Sequence, residues 1–321
     1  MPTALQFTTR DRKSGRQKSV LSQSHNLNSL NLNSLSQLST TQKNADRCAP
    51  VGVFDSGIGG LSVVKHLRQQ LPNENFIYFA DTAYAPYGER TTEELIDRSL
   101  KITAFLLDKG IKALIIACNT ATAAAVAELR RRYPQLIIIG MEPGIKPAAA
   151  RSESKVVGVL ATRSTLNSKK FQELSGKLAL ETQTQFIPQA CVGLVNEIER
   201  GDLNSPKLLE LLRLYVHPLL AQGVDTLVLG CTHYPFVETQ IRKTIDEFDA
   251  NKNIFLIDTG AAIARRLQQL LLEHQLMCIE KKKESESHLQ VWSTAPTNTT
   301  STALGYIDEP STTIQNCKLP D

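Results

Sequence analysis

The chain has 321 residues, enough for about two domains of ordinary size. Hydrophobic residues make up 41% of it and charged residues 21%, as in water-soluble globular proteins, and no apolar run approaches the ~20 residues that cross a membrane, so a membrane partner is excluded. Residues 1–48 carry a net charge of +5 and residues 49–321 a net charge of −1, so the body of the chain gives no electrostatic argument for a nucleic-acid partner.

Residues 1–46 lack the pattern of a folded core. Of these, 23 are Ser, Thr, Asn or Gln, Phe7 is the sole aromatic residue, and the pentapeptide Asn-Leu-Asn-Ser-Leu occurs twice at 26–35. Such a segment buries too little apolar area to offset the entropy of its backbone, and it has no apolar stretch typical of a secretory signal. We predict a disordered, basic extension over residues 1–48. A targeting segment or a start codon assigned too early are the open alternatives.

From Val51 onward, short apolar runs alternate with amphipathic stretches of 10–17 residues. Near-continuous apolar runs are typical of parallel strands buried on both faces, and crossover helices supply the amphipathic stretches. Ser205-Pro206 provides the N-cap and first-turn proline of one such helix. The sequence therefore predicts an α/β fold with parallel sheets. The predicted strands are 51–54, 76–79, 113–117, 136–139, 156–160, 225–229 and 254–257.

A short internal repeat indicates two similar α/β units. Ala-Cys-Asn-Thr at 117–120 follows an apolar strand, and Gly-Cys-Thr-His at 230–233 follows another. Ligands bind at the carboxyl ends of parallel strands. Two such units facing each other would place Cys118 and Cys231 on opposite walls of one cleft.

Each cysteine of the repeat stands where a thiol could transfer protons. Cys118 precedes Asn119-Thr120 and an Ala-rich helix, and the free N–H groups and dipole of a helix N-terminus lower a thiol's pKa and favour thiolate. Cys231 lies two residues before His233, which could act as its proton partner. Structural cysteines are the alternative at both positions. A metal site is a weaker alternative at Cys231, because Cys-x-His is not a usual ligand spacing.

Two further loops follow predicted strands. Asp55-Ser56 begins a glycine-rich turn whose spacing fits neither a dinucleotide nor a phosphate-loop motif. A carboxylate beside a hydroxyl suits an ammonium group or proton transfer, and a tight turn capped by Asp55 is the alternative. Tyr87-Gly88, in the loop 81–88, could form a wall of the site or an ordinary βα connection.

The remaining cysteines have no polar residues grouped around them. None forms a C-x-x-C pair, so a disulfide scaffold is not expected and a reducing, cytoplasmic setting is favoured. We interpret them as structural or incidental. They are Cys48, Cys191, Cys278 and Cys317.

Four motifs occur in a fixed order along the chain. They are VFDSGIGGLSV (53–63), DTAYAPYG (81–88), IIACNTATA (115–123) and LGCTHYPF (229–236). Together they resemble the glutamate racemase family of the cofactor-independent aspartate/glutamate racemase superfamily, over about residues 50–292. The paired cysteines are typical of the superfamily. The DSG-x-GG opening, and His after Cys-Thr, resemble the glutamate branch.

The resemblance implies an isomerase that interconverts L-glutamate and D-glutamate without a cofactor or metal and supplies D-glutamate for peptidoglycan. It implies that Cys118 acts on the D-isomer and Cys231 on the L-isomer, with Asp55, His233 and Glu199 assisting the thiols. Glu199 is the weakest match, because its surroundings hold fewer prolines than the family pattern. The implied substrate-contacting residues are Asp55, Ser56, Tyr87, Gly88, Asn119, Thr120, Thr232 and His233.

These observations predict two similar doubly wound parallel-sheet domains with the active site in the cleft between them. The first is expected over 49–145 plus about 256–295, the second over 146–255, and an irregular tail over 296–321. A homodimer is left open. The alternative functions are aspartate racemase or another superfamily member, a non-enzymatic amino-acid-binding module, and a thiol–disulfide oxidoreductase. Two opposed thiols suit inversion at carbon, and no motif carries a lysine for a Schiff base.

Overall fold

The computed structural model describes residues 47–280, 289–295, 298–309 and 312–319. The predicted extension over 1–46 lies outside these residues. Within the described ranges, no helix is both long and apolar enough to span a membrane. The first elements are β1 (Val51–Asp55), α1 (Leu61–Gln70), β2 (Phe76–Ala80), α2 (Thr92–Asp108), β3 (Ala113–Ile116), α3 (Asn119–Arg132) and β4 (Ile137–Gly140).

The later elements continue the alternation of strands and helices. Next come α4 (Ile145–Arg151), β5 (Val156–Ala161), α5 (Arg163–Asn167), α6 (Lys169–Thr182), β6 (Gln185–Ala190), α7 (Leu194–Arg200), α8 (Pro206–Ala221) and β7 (Thr226–Gly230). The last are α9 (Glu238–Asp249), β8 (Phe255–Ile257), α10 (Gly260–Glu273), β9 (Leu289–Ser293), α11 (Asn298–Tyr306) and β10 (Ile314–Asn316).

The strands form two parallel sheets. Sheet A has the order β10-β9-β2-β1-β3-β4, and sheet B has the order β6-β5-β7-β8. The four strands β2-β1-β3-β4 therefore correspond one by one to the four strands of sheet B. This correspondence confirms the predicted α/β fold with two similar sheets. It also explains the cysteine repeat, because β3 and β7 occupy equivalent positions.

The chain passes between the two sheets twice. After β4 it enters sheet B through residues 141–144, and after β8 it returns to α10, which packs against α1 beside sheet A. We call residues 47–144 and 258–319 lobe A, and residues 145–257 lobe B. We predicted that the chain returns to sheet A at about residue 256. In the structure β8 pairs with β7 as far as Ile257, so the chain returns only after this residue.

The C-terminal segment is not the irregular tail that we predicted over 296–321. Its described part contains α11, and β10 pairs in parallel with β9 at the edge of sheet A. The Thr-rich sequence gives no clear apolar pattern for α11, but Ala303 and Leu304 of this helix are buried. The ring of Tyr306 packs against Phe236 with centroids 5.7 Å apart, so α11 also contacts lobe B.

We interpreted Cys48 and Cys278 as structural or incidental and did not expect a disulfide scaffold. They form a disulfide, which joins the start of the described chain to the segment after α10. The backbone carbonyl of Arg47 accepts a hydrogen bond from Lys112, and that of Cys48 accepts one from Asn75 at 2.7 Å. Residues 47 and 48 thus belong to the folded body rather than to the extension. The sequence separation of 230 residues had concealed the pairing.

Candidate active site

A cavity of about 210 Å³ lies at the carboxyl ends of strands from both sheets. Cys118, which follows β3, and Cys231, which follows β7, both line it, as the repeat predicted. Asp55 and Glu199 lie behind its walls, in contact with residues that line it. The predicted site residues on the cavity surface are Ser56, Tyr87, Gly88, Cys118, Asn119, Thr120, Cys231, Thr232 and His233.

Cys118 caps the N-terminus of α3. Its Sγ accepts a hydrogen bond from the backbone N–H of Ala121 at 3.4 Å, as the helix start predicts. Burial nevertheless raises the pKa of Cys118 well above its ordinary value, and the nearby charge of Asp55 adds to this effect. The prediction that the helix N-terminus makes Cys118 a thiolate is therefore wrong. One N–H donor does not offset burial and a neighbouring carboxylate, so Cys118 is held as a thiol.

Cys231 is the first member of a chain of three groups. Its Sγ lies 3.7 Å from Nδ1 of His233, and Nε2 of His233 lies 2.6 Å from Oε1 of Glu199. Burial by itself disfavours a charged imidazole, but the hydrogen bonds to Cys231 and Glu199 prevail and the pKa of His233 lies well above its ordinary value. The position of the ring between the sulfur and the carboxylate therefore favours its protonated form.

Glu199 lies where the resemblance implied, at the end of α7. Burial tends to raise the pKa of its carboxyl group, but the hydrogen bond from His233 and the charge of that ring outweigh burial and lower it. The backbone N–H of Ile58 donates a further hydrogen bond to Oε1 at 2.9 Å. Glu199 is thus an anion held between the β1–α1 loop of lobe A and His233 of lobe B.

The glycines of the β1–α1 loop make room for the side chains of His233 and Glu199. A Cβ at Gly57 would lie 2.0 Å from Oε1 of Glu199, and a Cβ at Gly59 would lie 2.5 Å from Nδ1 of His233. No side chain fits at either distance. The glycine-rich turn therefore serves close approach of lobe B groups to a lobe A loop, and not a phosphate.

Asp55 ends β1 and is fully buried. Its Oδ1 accepts a hydrogen bond from the backbone N–H of Ser56 at 2.7 Å, and its Oδ2 accepts one from the hydroxyl of Thr232 at 3.0 Å. The thiol of Cys118 is a further donor. Burial raises the pKa of Asp55 above its usual range, although His233 and these hydrogen bonds oppose the rise. Asp55 therefore links Cys118 to Thr232, the residue that follows Cys231.

Two polar features of the cavity wall bear on ligand binding. Among the residues that the structure describes, Oδ1 of Asn119 is buried without a hydrogen-bond partner. The hydroxyls of Thr120 and Thr162 lie 3.0 Å apart, and those of Thr162 and Thr165 lie 2.9 Å apart, so a row of hydroxyls connects the lobes. Thr162 is not among the site residues that we predicted. Its position directly after β5, like that of Ser56 after β1, was the available signal.

Tyr87 forms a wall through its ring and backbone. Its hydroxyl donates to Oδ2 of Asp81 at 2.7 Å, and Arg98 holds the same carboxylate through two hydrogen bonds of 2.7 Å. Thr294, directly after β9, donates to the other oxygen at 3.0 Å. The buried carboxylate of Asp81 thus fixes the loop 81–88 against sheet A.

Cys191 is a third thiol on the cavity surface. We had interpreted it as structural because no polar motif surrounds it in the sequence. Burial raises its pKa to about 12, so it stays a neutral thiol at physiological pH. Its place after β6 brings it to the same sheet edge as Cys231.

Residues 51–267 match the family model described as Asp/Glu/Hydantoin racemase. The chain belongs to this racemase family. The glutamate racemase of Ectopseudomonas mendocina is 55% identical over 232 residues, which cover 72% of this chain and 86% of that protein.

Solved racemase structures share the fold. The glutamate racemase of Francisella tularensis, in complex with D-glutamate, has a TM-score of 0.69 and 28% identity and covers 86% of this chain and 98% of its own. The glutamate racemase of Escherichia coli, in complex with L-glutamate, has a TM-score of 0.70 and 29% identity. The match covers 85% of this chain and 99% of that one. The predicted resemblance to the glutamate racemases is thereby confirmed.

Proposed function

We propose that this racemase interconverts L-glutamate and D-glutamate by transferring protons between Cα and the thiols of Cys118 and Cys231. The observation that carries the proposal is the placement of these thiols after equivalent strands of two similar sheets, on one cavity. A racemase must remove a proton from one face of a carbon and deliver one to the other. Two thiols that come from separate lobes meet that requirement.

The two thiols have different surroundings. His233 lies beside Cys231 and can stabilise negative charge that forms on its sulfur, while Cys118 keeps its proton. The thiolate of Cys231 takes the α-proton of one isomer, which is L by family resemblance, and the thiol of Cys118 gives its proton to the opposite face. The product leaves behind a protonated Cys231 and a Cys118 thiolate. The reverse reaction starts from that state.

Asp55 supports the Cys118 side. Burial raises its pKa, although hydrogen bonds from Ser56, Thr232 and Cys118 oppose the rise. The Cys118 thiol donates one of these hydrogen bonds, so Asp55 holds this thiol in place on the cavity wall. Asp55 and His233 thus each partner one thiol.

The carbanion needs stabilisation because the α-proton of an amino acid is a very weak acid. Negative charge develops on the α-carboxylate as an enediolate, and hydrogen-bond donors on the cavity wall, such as the hydroxyl of Thr120 and the backbone N–H of Thr232, would lower its energy. Oδ1 of Asn119, a buried acceptor with no partner in the described part of the chain, suits the α-ammonium group. The threonine row that includes Thr162 offers donors to a carboxylate.

The decisive experiment follows deuterium uptake at Cα of each glutamate isomer in heavy water, without added cofactor. We expect uptake from both isomers and loss of optical rotation, and none with a Cys118→Ala/Cys231→Ala double variant. Activity that requires pyridoxal phosphate or a metal, or that survives in the double variant, contradicts the proposal. Aspartate, assayed alongside, separates this function from aspartate racemase.

We further propose that the product serves peptidoglycan synthesis in the cytoplasm. The support is the identity to glutamate racemases and the two cysteines on the cavity. Loss of the gene should make growth depend on supplied D-glutamate. Fractionation tests the location, and sedimentation tests whether a homodimer forms.

A further inference from the structure

The peptide group between Gly57 and Ile58 is hydrogen-bonded at both ends. Its carbonyl oxygen accepts a hydrogen bond from the hydroxyl of Tyr78 at 2.5 Å, and its N–H donates to Oε1 of Glu199 at 2.9 Å. The N–H and C=O of a trans peptide point in opposite directions. A bond at the carbonyl therefore fixes the direction of the N–H at the other end.

This peptide needs an external restraint. Glycine at position 57 lets Glu199 stand in this place, because a Cβ there would lie 2.0 Å from its Oε1. Glycine also places the fewest limits on backbone rotation, so the residue that admits Glu199 leaves the peptide free to turn over. If the peptide turned over, its carbonyl oxygen would face the buried carboxylate of Glu199. Glu199 would then also lose the N–H of Ile58 as a hydrogen-bond donor.

Tyr78 is built to supply that restraint. It lies in the middle of β2, it is fully buried, and its ring packs so closely on the loop that a Cβ at Gly60 would lie 2.8 Å from it. Burial, together with the charges of Asp55 and Glu199, holds the pKa of its hydroxyl well above the ordinary value. The hydroxyl therefore remains a donor throughout the working pH range.

We propose that Tyr78 is a positioning residue for the Cys231 half of the reaction. It holds the Gly57–Ile58 peptide so that its N–H anchors Glu199, which keeps His233 directed at Cys231. Hydrogen bonds in such a chain polarise one another, so the tyrosine also strengthens the N–H donor. This inference rests on the two-thiol function proposed above.

The test measures each thiol separately. Racemisation has an equilibrium constant of one by symmetry, so kcat/KM falls equally in both directions and cannot distinguish the two sides. A glutamate analogue with chloride at the β-carbon does distinguish them. The thiolate removes the α-proton, chloride leaves with its bonding electrons, and the enamine hydrolyses to a 2-oxo acid and ammonia. The single variants Cys118→Ser and Cys231→Ser establish which isomer each thiol processes.

Tyr78→Phe should slow elimination from the isomer of Cys231 by about tenfold, through kcat and not KM, since a buried carbonyl loses its donor. Elimination from the isomer of Cys118 should change by less than about twofold, because that thiol does not act through Glu199. Incorporating 3-fluorotyrosine at position 78, which retains a hydroxyl, should restore the rate. Tyr133→Phe is the matched control, at the far end of α3 from Cys118, and should change neither rate.

A double variant completes the test. If Tyr78 acts through Glu199, then Tyr78→Phe/Glu199→Gln should be no slower than Glu199→Gln alone. Equal losses on both isomers, a change in KM alone, or additive losses in the double variant would overturn the inference. If the wild-type protein shows no elimination from either isomer, or if the single cysteine variants show no isomer-selective elimination, the two-thiol function itself fails instead.

Discussion

Replacing Gly57 with alanine should separate activity from stability. The new Cβ would lie 2.0 Å from Oε1 of Glu199, and real Cβ atoms keep at least 3.0 Å from other heavy atoms, so the carboxylate must move by at least 1.0 Å. Its hydrogen bonds to Ile58 and His233 are 2.9 and 2.6 Å long. Moving away from Gly57 by that distance would lengthen the bond to Ile58 to about 3.9 Å, beyond hydrogen-bond range.

The stability cost is limited because a flexible side chain moves and the backbone does not. Losing a charge-assisted hydrogen bond costs about 1.5–3 kcal/mol, and the reduced freedom of the unfolded chain returns about 0.4–1 kcal/mol. We expect the free energy of unfolding to fall by about 1–2 kcal/mol. We expect kcat to fall by about 10- to 100-fold, because His233 loses the carboxylate that holds its charge and direction.

Urea unfolding and deuterium uptake from each glutamate isomer measure the two effects. Gly176→Ala is the matched control, since Gly176 lies in α6 with no atom within 4 Å of an added Cβ. It should raise the free energy of unfolding by about 0.5–1 kcal/mol and leave activity unchanged. A Gly57→Ala protein with wild-type kcat would refute the role given to the Glu199–His233 pair.

Three further outcomes are expected. Cys118→Ser and Cys231→Ser should each lose racemisation yet retain elimination from one isomer of a β-chloro glutamate, and finding the same isomer for both would exclude opposed thiols. Asp55→Asn should raise the free energy of unfolding at pH 8, because burial raises the pKa of Asp55 in the folded protein above that of a free aspartate and disfavours its charged form. Urea titrations should show this gain shrinking as pH falls through the folded pKa, and a loss at pH 8 would contradict the reasoning. Deleting residues 1–46 should leave activity unchanged, and a drop of several degrees in the melting temperature would show that they pack on the body.

The central strands were predictable because strands buried on both faces read as continuous apolar runs. All seven predicted runs are strands, including 51–54 in β1 and 225–229 in β7. In contrast, β6 was missed because it is an edge strand, half exposed, and contains Pro188, which only an edge tolerates. A strand of this kind has no continuous apolar pattern.

Some features of the candidate site were likewise predictable from the sequence and others were not. Cys118 and Cys231 were located by strand-end position, since a strand delivers the next side chain to the sheet edge. Tyr78 could not be recognised, because an aromatic residue inside an apolar run has the pattern of ordinary core. The pKa of Cys118 was also beyond local reasoning, since it depends on burial and on Asp55, 63 residues away in sequence.

The two passages of the chain between the lobes lie against each other. Gly144 of the first passage packs on Ile257 and Thr259 of the second, so that a Cβ at Gly144 would lie 3.0 Å from one and 3.1 Å from the other. We expect these two connections to act as a hinge, in which a few residues absorb the rotation while each sheet moves as a rigid body. Because the cavity takes its walls from both lobes, its width would then follow the hinge angle. Substitutions at Gly144 and Thr259 are therefore expected to change substrate entry and product release, apart from the thiols that move the protons.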